Sequence, residues 1–353
     1  MRDTRIILSA TALQHNLQRV RQIAPHSQIL SMVKADAYGH GLAFAVRALA
    51  DTDAFGVAFL AEAEQVRSLT ARPIVIMEGA FSLIEWQRAA EIGAQCVIHQ
   101  PCQVDWALQH VVQGATIWLK LNSGMNRLGL TADRLLIAAQ QLRTAGYQLI
   151  LTTHYANADQ PDHPLNTAQT EIFAGLAAQL APIQTSRCNS AALIAWPALQ
   201  GDWVRPGIML YGSSPFADQN AAQLGLQAVM TVESVLMTQH DLAVGAQVGY
   251  GSRWTAQRSS RVGVVAIGYG DGYPRTAHGA VVRVADQLVP VIGRVSMDML
   301  LIDLTDLPQP IANGAPVCLW GSSPSVDQIA DASGTLGYEL LCRMTQRPIR
   351  QFR

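Results

Sequence analysis

The stretch Ile29-Leu30-Ser31-Met32-Val33-Lys34-Ala35-Asp36-Ala37-Tyr38-Gly39-His40-Gly41 sets a lysine directly after a short apolar run and before a glycine-rich turn into a helix. A run of this length, bounded by turn residues, reads as a buried strand. A reactive residue just past the end of such a strand is where a (β/α) barrel carries its chemistry. Lysine is also scarce here: of 25 basic residues only Lys34 and Lys120 are lysines, and the rest are arginines. A bias toward arginine accounts for the scarcity but not for the placement, because each lysine closes a short apolar run. Arginine serves solubility and ion pairing but keeps its proton, whereas a lysine amine can lose its proton and attack a carbonyl.

Outward from that stretch, short apolar runs alternate with amphipathic, alanine-rich segments as far as residue 210 or so. Eight strands are expected, near Ile29 to Val33, Phe55 to Ala58, Ile74 to Met77, Cys96 to Ile98, Ile117 to Leu121, Leu149 to Thr153, Gln184 to Cys188 and Trp203 to Arg205. The helices between them include Thr11 to Ile23 with Ser9 as N-cap, Glu62 to Leu69, Leu83 to Ile92, Ala132 to Ala145 and Asn166 to Leu180. An open doubly wound sheet would alternate in the same way, but eight units favour a closed (β/α)8, TIM-like barrel of the α/β class. After Tyr211-Gly212-Ser213-Ser214-Pro215 the texture changes to β-branched runs separated by Gly, Pro and Asp. The expectation is a barrel over 1–225 and a mainly β domain over 226–353, the latter closed by helical stretches around Val326 to Ala332 and Tyr338 to Met344.

Composition narrows the function. At 353 residues and 49% hydrophobic content the chain can bury a large core, while a net charge of -1 leaves no electrostatic footprint for nucleic acid. The five cysteines lack C-x-x-C spacing and are odd in number, which fits reduced thiols in a cytoplasm and predicts neither disulfides nor a zinc site. The apolar stretch Ile6-Ile7-Leu8 is too short for a signal peptide, and no run is long and apolar enough to span a membrane as a helix. Small-molecule chemistry is the expectation that remains.

The polar motifs fall at the expected barrel rim. Lys34 ends the first strand, Lys120 lies in the fifth with Asn122-Ser123-Gly124-Met125-Asn126-Arg127 beyond it, and His154 follows the sixth; Asn189-Ser190 follows the seventh and Arg205-Pro206-Gly207-Ile208 the eighth. Any one of these could be a satisfied polar residue at a barrel rim, but together they describe a site. Ser190 beside the start of a helix, with the amides of Gly207 and Ile208, suits a phosphate group late in the barrel. A phosphate plus an aldehyde-reactive lysine points to pyridoxal 5'-phosphate.

These motifs, together with Gly124-Met125-Asn126-Arg127-Leu128-Gly129, His154-Tyr155-Ala156-Asn157-Ala158-Asp159, Val248-Gly249-Tyr250-Gly251 and Gly293-Arg294-Val295-Ser296-Met297-Asp298, resemble alanine racemases of the fold-type III pyridoxal phosphate family over nearly the full chain. The resemblance implies a homodimer with composite active sites acting on alanine. Lys34 would hold the cofactor aldehyde covalently and act as a base on one face of the α-carbon, and the partner subunit's Tyr250 would serve the other face. Racemisation needs a proton removed on one side and supplied on the other, so two flanking groups fit the task. The resemblance further assigns Tyr38, Ser190, Gly207, Ile208 and Tyr338 to the phosphate, and Arg205 to the cofactor's pyridine nitrogen. His154 and Arg205 would neighbour Tyr250. Arg127 would reach the cofactor's phenolic oxygen and the substrate carboxylate, which the Met297 backbone would also contact. Lys120, seven positions before Arg127, stands where the family's lysine can be N-carboxylated by carbon dioxide. Asn122 departs from an aspartate common nearby. The role implied is supply of D-alanine for peptidoglycan, or alanine catabolism.

Other readings compete. Gly268-Tyr269-Gly270-Asp271-Gly272 has the wrong spacing for a dinucleotide loop, and Pro274 interrupts the helix that should follow. His154, Asp159, Asp162 and His163 match no metal motif. A broader amino-acid racemase, a basic amino-acid decarboxylase of the same fold type and a non-enzymatic pyridoxal phosphate carrier share the cofactor. The decarboxylase would place a catalytic cysteine in a motif that Cys318 and Cys342 do not match, and the carrier would lack the β domain.

Overall fold

The computed structural model describes residues 3–277, 279–308 and 311–353. Eight parallel strands close a barrel in chain order: β2 (Gln28–Met32), β3 (Ala54–Val57), β4 (Ile74–Ile76), β5 (Ala94–Ile98), β6 (Thr116–Lys120), β7 (Gln148–Thr152), β8 (Gln184–Ser186) and β9 (Trp203–Val204). Closure rests on the shortest strand, β9, which pairs Ser186 with Trp203 on one side and Gln28 and Ile29 with Trp203 and Val204 on the other. Helices cover the outside, so these strands are buried on both faces and read as continuous apolar runs rather than alternating ones. The closed barrel is thus the one expected from the eight-unit count.

The β domain is built from β10 (Met230–Leu242), β11 (Gln247–Val248), β12 (Trp254–Thr255), β13 (Ser260–Val265), β14 (Val281–Val284), β15 (Gln287–Ile292), β16 (Leu300–Asp303), β17 (Pro316–Trp320) and β18 (Ile349–Phe352). Its sheet runs β13-β16-β15-β14-β17-β10 and continues to β1 (Arg5–Leu8) and β18, while β10 pairs back with β13, so that six strands form a ring. The segment Ile6-Ile7-Leu8 is therefore a strand of this second sheet, antiparallel to β10 and parallel to β18. Nothing local marks it, because both of its neighbours in space are remote in sequence.

Local chemistry sets the helix ends. Ser9 caps the helix Ala10–Ile23 by accepting from Ala12 N at 3.1 Å, as expected. The helix expected from Glu62 runs Leu60–Arg67 instead, because Glu62 Oε2 turns back to accept from Ala58 N at 2.8 Å and secures an earlier first turn. Three further helices, Leu42–Ala48, Pro101–Gln109 and Ser190–Ala195, complete the alternation. The barrel and the β domain are latched by Asp327, whose carboxylate accepts from Ser213 Oγ at 2.5 Å and from Ser214 N at 2.9 Å.

Trp118 on β6 is fully buried, stacks edge-on against Trp203 at 5.5 Å and donates through Nε1 to Gln95 Oε1 at 2.7 Å. Trp118→Ala should lower unfolding free energy by about 3–5 kcal/mol in a denaturant titration, from the cavity it leaves beside the closing strand.

Candidate active site

A cavity of about 450 Å³ opens at the C-terminal ends of the barrel strands. Lys34, Lys120, Arg127, His154 and Arg205 line it on the cationic side, and Tyr38, Ser190, Gly207, Ile208 and Tyr338 complete the wall. Ten residues singled out from sequence thus meet in one space. Tyr338 arrives from the β domain of the same chain, on the helix Gly337–Arg343. Glu78, at the end of β4, is the only carboxylate among the described lining residues.

Lys34 is positioned by an unusual turn. Ala35, Asp36, Ala37 and Tyr38 all adopt the left-handed conformation, with φ of 52° to 54°. For residues bearing a Cβ this costs about 1–2 kcal/mol each, so neighbouring groups must hold it. Asp36 Oδ1 accepts from Leu42 N at 2.7 Å, capping the next helix. Buried His40 donates from Nδ1 to Tyr38 O at 2.9 Å and approaches Ala37 O at 3.1 Å, and burial drives its pKa down to about 4, which keeps it neutral. Gly39, at φ 79°, passes so near the helix carrying Tyr338 that a Cβ would lie 2.1 Å from Leu341 O. Lysine and phenol are therefore brought to the same cavity from the two ends of one turn.

The floor is a buried guanidinium. Arg205 Nη1 donates to Ser186 Oγ at 2.6 Å and Thr152 Oγ1 at 3.1 Å, and Nη2 donates to Thr153 O at 2.6 Å. Burial lowers its pKa to about 10, so it remains a cation at neutral pH. Nη2 also lies 3.5 Å from His154 Nδ1. Burial first, and then the nearby Arg205, Lys120, Arg127 and Lys34, hold His154 well below the usual imidazole range. A guanidinium only donates, so Nδ1 is the acceptor and the neutral ring keeps its proton on Nε2. Lys120 is lowered to about 8, again by burial first and then by Arg205, Arg127 and Lys34. No carboxylate among the described residues pairs with it within 4.0 Å.

The other end of the cavity offers neutral donors. Ser190 Oγ accepts from Gly207 N at 2.9 Å, and a Cβ at Gly207 would lie 2.4 Å from Tyr38 Oη. Tyr38 stacks on Tyr211 at 4.8 Å and faces Tyr338 at 6.2 Å. Burial raises the pKa of both Tyr38 and Tyr338, so each keeps a phenolic hydrogen to donate. Hydroxyls and a close-lying backbone fit a phosphate, and the amine of Lys34 in the same cavity fits an aldehyde. The donor set is therefore compatible with pyridoxal 5'-phosphate.

Tyr250 and Met297 do not line this cavity. Tyr250 sits in a turn at 69% exposure and Met297 in a loop at 53% exposure. Amide bonds of Tyr269 to Ser296 O at 3.0 Å and of Gly270 to Met297 O at 2.9 Å bind the 268–272 segment to the Met297 loop, which accounts for its glycines without a dinucleotide. No cluster of potential metal ligands occurs among the described residues. Sequence reasoning missed Glu62, Asp36 and Glu78. The first two act by accepting backbone amides, a role that residue type does not reveal, and Glu78 follows β4 as Lys34 follows β2.

Comparison with known proteins agrees along the whole chain. Residues 8–215 match the family model for the alanine racemase N-terminal domain, and residues 229–352 that for the C-terminal domain. An alanine racemase of Psychrobacter sp. (strain PRwf-1) is 49% identical over 373 aligned residues, covering 99% of this chain and 100% of that protein. The crystal structure of the biosynthetic alanine racemase from Pseudomonas aeruginosa superposes with a TM-score of 0.96 at 44% identity and 100% coverage of both chains. The alanine racemase from Bartonella henselae, solved with covalently bound pyridoxal phosphate, does so at 0.90 and 25% identity, covering 99% of each chain. The decarboxylase and carrier readings are not favoured.

Gly207→Ala should displace the Tyr38 hydroxyl and weaken binding of pyridoxal phosphate about tenfold or more, roughly 1.4 kcal/mol, in a titration followed by visible absorbance.

Proposed function

The chain belongs to the alanine racemase family, and from that premise we propose how its own residues interconvert L- and D-alanine. The observation that carries the proposal is the single cavity in which the Lys34 amine, the Arg205 floor and the phosphate-type donors meet. Pyridoxal 5'-phosphate, when bound, draws electron density from the substrate's α-carbon and acidifies its hydrogen.

Tyr38, Tyr338, Ser190 and the amides of Gly207 and Ile208 hold the cofactor phosphate, and Arg205 meets its ring nitrogen. The Arg205 guanidinium, which stays charged, would donate a hydrogen bond to that nitrogen without giving up its proton. Arg127 takes the substrate carboxylate and the cofactor's phenolic oxygen. Lys34 moves the proton on one face of the α-carbon. The partner subunit's Tyr250 moves it on the other, with His154 Nε2–H available to a phenolate. Exposure of Tyr250 and Met297 away from their own chain's cavity supports a homodimer in which each copy completes the other's site, the Met297 backbone adding a contact to the substrate carboxylate. Lys120, buried with no ion pair among the described residues and lowered to about 8, is suited to N-carboxylation, which would supply an anion for Arg127. These roles divide the chain near residue 225, but the barrel expected over 1–225 gives up its first strand, because β1 pairs with β10 and β18 in the sheet of the β domain over 226–353. Supply of D-alanine for peptidoglycan in the cytoplasm is the role in line with the Pseudomonas aeruginosa relative named biosynthetic.

Holoenzyme with L-alanine in deuterated water should show α-proton exchange together with growth of D-alanine; no exchange, or exchange that returns only L-alanine, overturns racemisation. Tyr250→Phe should lower kcat by about a hundredfold to ten-thousandfold, the usual contribution of a general acid or base. Mixing Tyr250→Phe with Lys34→Ala copies and allowing exchange of subunits should restore activity, because the mixed dimer contains one intact composite site. At fixed dissolved carbon dioxide, N-carboxylation of Lys120 should rise as pH increases through about 8, since only the neutral amine reacts; a carbon-13 carbamate signal reads it.

A further inference from the structure

One carboxylate outside the cavity binds the backbone directly after Lys34 to the neighbouring barrel strand. Glu62, half-buried in the first turn of the helix Leu60–Arg67, accepts from Ala35 N through Oε1 at 2.7 Å and from Ala58 N through Oε2 at 2.8 Å. On the other side of Lys34, Val33 N donates to Gly56 O at 2.8 Å. The residues flanking Lys34 are thus both tied to the segment that ends β3. Ala35 is also the first residue of the left-handed turn, at φ 53° and ψ 53°. A charge-assisted bond to its amide holds an alanine in a conformation that it otherwise avoids.

We propose that Glu62 is a positioning residue for Lys34, holding the left-handed turn so that the lysine amine is aimed into the cavity. The proposal rests on Lys34 being the residue that holds the cofactor. The ordinary use of an acid at this helical position is to reach back to the backbone just ahead of its own helix, as the bond to Ala58, one residue before the N-cap Phe59, does here, and a glutamine could accept that bond equally well. The Ala35 bond is additional, crossing from the helix after β3 to the turn after β2. A glutamine has one acceptor oxygen and one NH2 group, so it can serve one of the two amides but must present hydrogen to the other.

The test compares wild-type holoenzyme with Glu62→Gln, Ala35→Gly and the double variant. Glu64→Gln is the control, since Glu64 lies on the same helix but pairs outward with Arg88 at 2.7 Å. Glu62→Gln should lower kcat about ten- to a hundredfold, as misplacing a reacting group does. KM for alanine should stay within about twofold, the mark of an effect on the reacting geometry rather than on binding. The pH dependence of the bound cofactor's visible absorbance should shift, and the thermal midpoint should stay near that of wild type. Glycine adopts the left-handed conformation without penalty, so Ala35→Gly should recover most of the lost kcat in the double variant. Wild-type kcat and absorbance in Glu62→Gln overturn the proposal. A loss of kcat that follows a fall in thermal midpoint, without recovery by Ala35→Gly, also overturns it and leaves helix capping as the role. Borohydride reduction of wild-type holoenzyme and peptide mapping test the premise separately: cofactor on Lys34 upholds it whatever Glu62 does, and cofactor on another residue removes premise and proposal together.

Discussion

Positive charge gathered at the open end of a closed barrel is the constraint from which the site follows. Lys34 and Arg127, both exposed, and Lys120 and Arg205, both buried, share one cavity whose described lining carries a single carboxylate, that of Glu78. Such a cluster is costly unless an anion joins it or its members give up protons. The buried groups lean toward the second outcome, with His154 held neutral and Lys120 lowered to about 8, while Arg205 keeps its charge by donating to two hydroxyls and a carbonyl. Phosphate and carboxylate groups on a cofactor and substrate would balance what remains. The same imbalance that makes the cavity receptive to them also sets the proton inventory of the residues around it.

Sharing one cavity makes the geometry exacting. The left-handed turn at residues 35–38 is unfavourable taken alone and persists because carboxylates, an imidazole and a glycine-mediated close approach hold it from several sides. Strain kept this way lies where precision matters, between the lysine and the phenol. The helix carrying Tyr338 presses against Gly39, so the β domain takes part in shaping the barrel's own site.

Much of this was legible in the sequence. The eight apolar runs before residue 210 correspond to the barrel strands, and the lysine, histidine, serine and arginine at their ends converge as their spacing implied. The left-handed turn was not legible, because Ala-Asp-Ala-Tyr has no intrinsic preference for positive φ and tertiary contacts impose it. β1 and β18 were missed for a related reason: each finds its partner across nearly the whole chain, and four residues carry no periodic signal strong enough to mark them. Glu62 could be read only as a helix acid, since its second amide comes from another unit of the barrel. Tyr250 was legible through resemblance alone, as an exposed tyrosine in a turn has no feature of its own that announces chemistry.

The position of β1 changes how the two domains should be regarded. Leu8 and Met230 are paired neighbours in the second sheet, and Ser9 N donates to Val229 O at 3.0 Å. The whole barrel is therefore an insertion between two adjacent strands of the β domain, entering and leaving through crossings that lie side by side. A body hung from one linker can swivel, but one hung from two antiparallel, hydrogen-bonded crossings resists torsion. Reinforced by the Asp327 latch, this double suspension opposes rotation of the barrel against the β domain, so the cavity and the Tyr338 helix that closes its wall are carried on one frame.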